Sequence, residues 1–317
     1  MSEMMLSEVK SQMTLPVIAA PMFIVSSPES VIEGCKSGII GSFPALNART
    51  TADLEKWMER ITQELDKARL QNPERPIAPW AVNLIVHRSN HRYEADLELV
   101  KKYEPPIVIS SLGDPGRIVD IVHQYGGLVF SDVSNLYHAK KAAEKGVDGL
   151  ILVCNGAGGH AGTINPMAFL GAVKAFWDGI TILAGSISTG QDILATQALG
   201  ADFAYMGTRL IATSETMVKD AYREMLIDSD LEDIIYTDAI SGVNANFLAP
   251  SIRKAGLDPE NLPKKETIDF SNEAKAWKDI WSAGQGVGTI KQVLPVGEIV
   301  QELQEEYNQA RASLFKV

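Results

Sequence analysis

The chain has 317 residues, 45% of them hydrophobic, which is enough for one barrel-sized core or two ordinary ones. Its 40 acidic and 29 basic residues give a formal net charge of -11. No Lys/Arg cluster is dense enough to follow a phosphate backbone, which argues against nucleic acid or an anionic membrane as a partner and requires any bound anion to be held locally.

The first segment, "MSEMMLSEVKSQMTLP", carries acidic residues and no apolar run, so it reads as neither signal peptide nor anchor. No later stretch reaches the length needed to span a bilayer, and the expectation is a soluble cytoplasmic protein. Apolar strand candidates then begin near Pro16 (PVIAAP), Ile39 (IIGSF), Pro79 (PWAVNLI), Pro106 (PIVISSL), Gly127 (GLVFSDV), Gly149 (GLILVCN), Thr181 (TILAGSI) and Phe203 (FAYMGT). Between them lie amphipathic segments such as "PESVIEGCKSG", "YEADLELVKKY", "PGRIVDIVHQYG", "NLYHAKKAAEKG" and "TGQDILATQALG". Several close on glycine, as a helix C-terminus that needs a left-handed residue does.

Eight βα units with short connections, uninterrupted by a Pro/Gly/Ser-rich linker, predict an α/β fold of the closed (β/α)₈ type, a TIM barrel, rather than two doubly wound sheets. Residues 1–213 form its core. From 214 to 317 the pattern turns helix-rich, through "SETMVKDAYREMLIDS", an irregular "TDAISGVNANFLAPSIRKAGLDPENLP", "NEAKAWKDIWSAGQGVGTI" and "VGEIVQELQEEYNQARASLF". This region is expected to supply the last barrel helix, a helical lobe appended over the barrel mouth and the C-terminal helix, all within one catalytic unit. Cys35 and Cys154, far apart in sequence, cannot by themselves make a zinc site and read as buried thiols in a reducing compartment.

In such a barrel, function belongs at the C-terminal ends of the strands. The seventh strand ends in "LAGSISTGQD" and the eighth in "YMGTR", which sets Gly185, Ser186 and Gly190 beside Gly207 and Thr208. Small residues let backbone N–H groups approach an anion, and a helix starting near Thr189 is expected to aim its positive end there, so the pair of loops predicts a phosphate cup. A barrel holding a phosphorylated metabolite would use the same cup.

The sixth strand runs into "GAGGHA", which formally matches the G-x-G-x-x-G/A dinucleotide fingerprint. A fingerprint must open directly into its helix, whereas here Asn165 and Pro166 mark an N-cap and first helical position several residues later. The glycines therefore predict a loop that lies along a flat ring, with His160 beside it. His87, His91, His123 and His138, in helical or loop surroundings, read as structural. His160 differs in standing at a strand's C-terminal end next to the cup. Asn83 ends the third strand with an amide able to read a heterocycle edge. Ala20, Pro21 and Met22 end the first, and Asp132 closes the fifth as either a polar group of the site or a loop N-cap.

These residues resemble the nitronate monooxygenases, also described as 2-nitropropane dioxygenase-like proteins, which are FMN-dependent barrels. The resemblance runs through "PVIAAPM", the "VN" at Asn83, "AGGHAG", "LAGSISTGQDILATQALGADFAYMGTR" and "WSAGQGVG", in the family's order over most of the chain. It implies His160 as the catalytic residue. It also implies FMN contacts at Ala20, Pro21, Met22, Asn83, Gly158, Gly159, Ala184, Gly185, Ser186, Met206, Gly207, Thr208 and Gln285, with Asp132 where some reductase relatives have Lys. The implied reaction is oxidation of an alkyl nitronate, with O₂ reoxidising the FMN and a carbonyl compound and nitrite leaving. Protonated His160 would stabilise the anion, and neutral His160 would take the α-proton of a nitroalkane. Related flavoproteins with the same loop look like NAD(P)H:quinone or enoyl-acyl-carrier-protein reductases, which leaves an NAD(P)H-dependent oxidoreductase as the alternative.

Overall fold

The computed structural model describes residues 2–262 and 279–314. Each apolar run flagged in the sequence is a strand: β1 Val17–Ala19, β2 Gly41–Pro44, β3 Trp80–Ile85, β4 Ile107–Ser111, β5 Leu128–Val133, β6 Gly149–Val153, β8 Ile180–Ala184 and β9 Phe203–Met206. All pair in parallel, in the order β1-β9-β8-β6-β5-β4-β3-β2. The sheet closes on itself where Ile18 of β1 bridges Ile40 just before β2, through Ala19 N to Ile40 O at 2.8 Å and Ile40 N to Val17 O at 3.0 Å. The fold is a TIM barrel.

Alternation along each strand builds the interior. Ile18, Ile107, Ile109, Phe130, Ile151, Ile182 and Phe203 point inward as one buried cluster, while their neighbours in sequence pack outward against the helices. The helices sit where the amphipathic segments place them. α2 (Pro28–Lys36), α5 (Gly116–Gln124), α6 (Leu136–Glu144) and α8 (Gly190–Ala198) are followed by Gly38, Gly126, Gly146 and Gly200 at φ of 86°, 83°, 79° and 93°, the left-handed stop predicted for them. α7 (Pro166–Lys174) starts as read, with the Asn165 side chain accepting from Met167 N and Ala168 N. Both cysteines are buried thiols whose ionisation is pushed up to about 12 by desolvation.

Three features were not legible in advance. The N-terminal helix α1 (Ser2–Ser11) caps the lower end of the barrel: Met5, Leu6 and Val9 pack on the interior cluster, and Lys10 meets Asp202 at 3.0 Å. The eighth barrel helix is the C-terminal one, Val296–Leu314, which packs against α8 and α2 and so fills the gap between them. The lobe is thus inserted between β9 and that helix. It contains helices Asp220–Asp228 and Ala249–Lys254, and also β10 (Ile234–Thr237) and β11 (Ala245–Leu248), which form a three-stranded antiparallel sheet with β7 (Gly159–His160) from the segment after β6. The helical reading of 272–278 lies outside the described residues. Among the described residues no helix is long and apolar enough to cross a membrane.

Candidate active site

The strands' C-terminal ends open into a cavity of about 1810 Å³. A pocket for one small ligand runs to roughly 1,000 Å³, so this one is larger than a single small ligand needs. Its floor is the last inward-facing layer of the barrel: Asn83, Ser111 and Asp132 on β3 to β5, then Val153, Ala184 and Tyr205 on β6, β8 and β9. One half is polar and the other apolar. Ala20, Pro21 and Met22 line the wall after β1.

The polar half is a directed chain. Asn83 Nδ2 donates to Ile109 O at 3.1 Å and to Ser111 Oγ at 2.6 Å, so the Ser111 hydroxyl proton goes on to Asp132 Oδ2. Asp132 Oδ1 is buried with no hydrogen-bond partner among the described residues. Desolvation dominates the group, raising its pKa from 3.8 to about 6 despite the Ser111 hydrogen bond, which acts the other way. Tyr205 is raised well above its ordinary value, first by burial and then by the negative charge of Asp132.

His160 stands in the second sheet, not on a free loop. Its backbone pairs with Ala245 of β11, and Gly159 pairs with Asn246. The lobe grips this segment from behind. Ser282 Oγ accepts from Gly159 N at 2.5 Å, Asn246 Nδ2 donates to Ala157 O at 2.7 Å, Gln285 N donates to Gly156 O at 2.9 Å, and the Tyr236 hydroxyl donates to Ala161 O at 3.1 Å. Asn155 N to Ile164 O, 3.0 Å, closes the loop at its base. Gly158, Gly159 and His160 all face the cavity.

The two small-residue loops meet as predicted, with Gly185, Ser186, Gly207 and Thr208 on one wall. The helix that serves them differs. The N-terminus of α8 is already occupied: Ser188 N and Thr189 N both donate to Asp192 Oδ2 at 2.9 Å, and Gly190 N donates to Glu306 Oε2 at 2.7 Å. A one-turn helix, Thr208–Ile211, opens on the cavity instead; its N-cap Gly207 has no side-chain cap. Barrels that bind phosphate frequently use a short extra helix at this place.

Two glycines on these loops have opposite causes. Gly185 has φ +123° and an added Cβ would lie 2.6 Å from Asn155 O, so the fold itself demands glycine. Gly207 has an ordinary φ of -110°, and the nearest atoms to an added Cβ would be Met22 Sδ at 3.5 Å and Ala20 Cβ at 3.7 Å, ordinary contact distances. The protein does not need glycine there, which leaves the space for a ligand.

Two residues implied by the resemblance lie elsewhere. The Met206 side chain is fully buried in the core between sheet and helices, because alternation along β9 turns Phe203 and Tyr205 inward and Met206 outward. Gln285 is exposed and does not itself line the cavity, although its Oε1 and Ser186 Oγ both border the space beside Gly156. Conversely His87, His91 and His138, read as structural, line the outer cavity, whereas His123 faces Asp148 at 2.9 Å on the barrel's outside. Ser111 and Tyr205 were missed although strand alternation from Ile107 and Phe203 marks both as inward. Asn246 and Ser282 had no such signal, since they reach segments 89 and 123 residues away.

A parallel barrel with a histidine segment, a cup of small residues and a large cavity at the C-terminal ends of its strands is the architecture of an enzyme. The chain belongs to the nitronate monooxygenase family, whose model, described as Nitronate monooxygenase, matches residues 5–306; it is an oxidoreductase of that family. It is 28% identical to a nitronate monooxygenase of Paraburkholderia phytofirmans over 93% of each chain. Among solved structures it is similar to FabK from Thermotoga maritima, with TM-score 0.80, 22% identity and 98% and 97% of the two chains covered. It is also similar to nitroalkane oxidase from Streptomyces ansochromogenes, with TM-score 0.78, 23% identity and 96% and 99% covered. These two likenesses support the barrel fold.

Proposed function

We propose that this chain binds FMN and oxidises alkyl nitronates with O₂, releasing a carbonyl compound and nitrite. The observation that carries this reading is the position of His160, held by the lobe at the end of β6 beside a cup of small residues at the ends of β8 and β9, in a member of the nitronate monooxygenase family.

The residues present fit FMN. Gly207, which the fold leaves free to be larger, keeps room at the cup, where a phosphate would be held by backbone N–H groups and the hydroxyls of Ser186 and Thr208. Ala20, Met22 and Ala184 offer an apolar bed for a flat ring, and Asn83 and Asp132 offer polar contacts at its edge. Gly158 and Gly159 bring backbone close without side chains. FMN would supply a redox-active ring through which the substrate is oxidised at the expense of O₂.

The chain's own work is then positioning and charge control. His160 projects from a segment whose backbone is tied on both sides, so its imidazole is pre-placed rather than recruited. In its protonated form it stabilises a bound nitronate anion. In its neutral form it removes the α-proton of a nitroalkane. The absorbance spectrum of the purified protein, followed anaerobically with nitronate and then NADH, tests the reading. A yellow protein bleached by nitronate alone is expected. A flavin left oxidised by nitronate and bleached by NADH would instead establish the NAD(P)H-dependent oxidoreductase, and a colourless protein that FMN cannot reconstitute would remove the cofactor.

A further inference from the structure

In a closed eight-stranded ring the strand four places from β6 is β2, so the loops after β1 and β2 face the His160 loop across the mouth. Large apolar side chains stand along that wall of the mouth, beside the polar His87, Asn90, Arg92 and Asp114 that also line it. Phe23 and Ile24 follow β1, Leu46 follows β2, Ile85 ends β3 and Leu112 follows β4, and all five line the cavity. Phe23 and Leu112 are 37% and 44% exposed, large hydrophobic surfaces that the protein itself does not cover.

Backbone conformation singles out two of these residues, Ile24 and Leu112. Four non-glycine residues among those described have positive φ; one, Glu104, is a helix C-cap, and the others are Ile24 at 55°, Leu112 at 57° and Ser186 at 56°, all on the cavity. A β-branched residue in the left-handed region is rare and disfavoured, and such conformations persist only where the surroundings over-determine them. Asn47 does this for Ile24. Its Oδ1 accepts from Ile24 N at 2.8 Å, and its Nδ2 donates to Met22 O at 3.0 Å and to Ser26 O at 2.8 Å, from a buried position behind the loop. A glycine would adopt either backbone without strain, so the apolar side chains at 24 and 112 are retained against the local preference.

We propose that this wall is a specificity site for the substrate's apolar body: the enzyme takes nitronates bearing an extended or bulky alkyl chain, which lies along Phe23, Ile24, Leu46 and Leu112 while its charged head meets His160. The inference rests on the nitronate reading and names the substrate class within it. The cavity's volume is larger than a single small ligand needs.

The test measures both binding and turnover. FMN-loaded protein is titrated calorimetrically with straight-chain alkyl carboxylates of increasing length, used as unreactive anions, and kcat/KM is measured for primary nitronates over the same lengths. Each added methylene should tighten binding and raise kcat/KM roughly fourfold until the wall is covered. Ile24→Gly and Leu112→Gly, which relieve backbone strain and are expected to melt no lower than the parent, should each flatten both slopes, and Phe23→Ser should do so without any change of backbone. Equal slopes in parent and variants, or a preference for the shortest chain, would overturn the proposal. Failure of every nitronate to react, with the carboxylate slope intact, would instead count against the nitronate chemistry and leave the apolar site standing.

Discussion

Asp132→Asn isolates the cost of a buried acid. The substitution keeps the shape of the side chain and keeps an oxygen to accept the Ser111 hydroxyl, while removing the ionisable group. In the folded protein the carboxyl titrates at about 6 rather than 3.8, because burial disfavours its charge and Oδ1 has no donor among the described residues. The folded state therefore holds a proton that the unfolded chain has lost between these two values, and native stability falls as pH rises from about 4 through about 6. The difference of about two pKa units corresponds to an upper limit of about 3 kcal/mol. The Asn variant escapes this loss. At pH 8 it should be more stable than the parent by up to that amount, or roughly 5 °C in melting temperature for a chain of this size, and the advantage should vanish towards pH 4. Thermal and urea unfolding of the cofactor-free proteins from pH 4.5 to 8 reads this directly. A difference between the two proteins that stays constant across that range would refute the assignment of a raised pKa to Asp132.

His160→Asn should retain FMN and slow turnover by about 10²-fold or more, the usual size of an acid–base contribution; unchanged kcat would remove the imidazole from the mechanism. Gly207→Asp should lose FMN through bulk and like charge while the apoprotein melts normally, since the neighbouring protein atoms leave room for a Cβ; full flavin content would count against the cup. Asn246→Ala removes the donor to Ala157 O and should lower kcat more than flavin content, because the grip on the His160 segment loosens while the cup is untouched; a kcat equal to the parent's would show that the grip does not position the histidine. Met206→Leu should bind FMN within about twofold of the parent, as a volume-conserving core change usually costs little; a large loss of affinity measured by fluorescence quenching would bring that side chain back to the ligand.

The barrel was legible because its signals are local. β-branched runs at regular intervals, glycine stops and the Asn165–Pro166 helix start each lie within a few residues, and strand ends then locate the catalytic face without further information. Gly185, Gly207, Asn83 and His160 follow from that step. What escaped depends on distance or on side-chain phase. A run of glycines after Cys154 says nothing of Ala245, so the strand that carries His160 could not be seen. "TGQD" reads as a helix start able to hold an anion, and it is one, but Glu306 on the C-terminal helix reaches Gly190 N first. Met206 shows the second kind of miss: motif resemblance marks a position, while the period of two along β9 decides which way its side chain points.

The inserted lobe follows from the same geometry. A loop of glycines after β6 leaves carbonyl and N–H groups at Gly156, Ala157, Gly159 and Ala161 that have no barrel neighbour in register, and such groups are costly when left unpaired and buried. Gln285, Asn246, Ser282 and Tyr236 satisfy them, and Gly284 N reaches Thr208 Oγ1 at 2.8 Å, so one lobe ties the His160 segment to the cup. The chain then returns through the Val296–Leu314 helix to close the barrel between α8 and α2. We infer that 1–213 and 214–317 make one catalytic unit. Neither the histidine's placement nor the closure of the helix ring is complete in the first stretch alone.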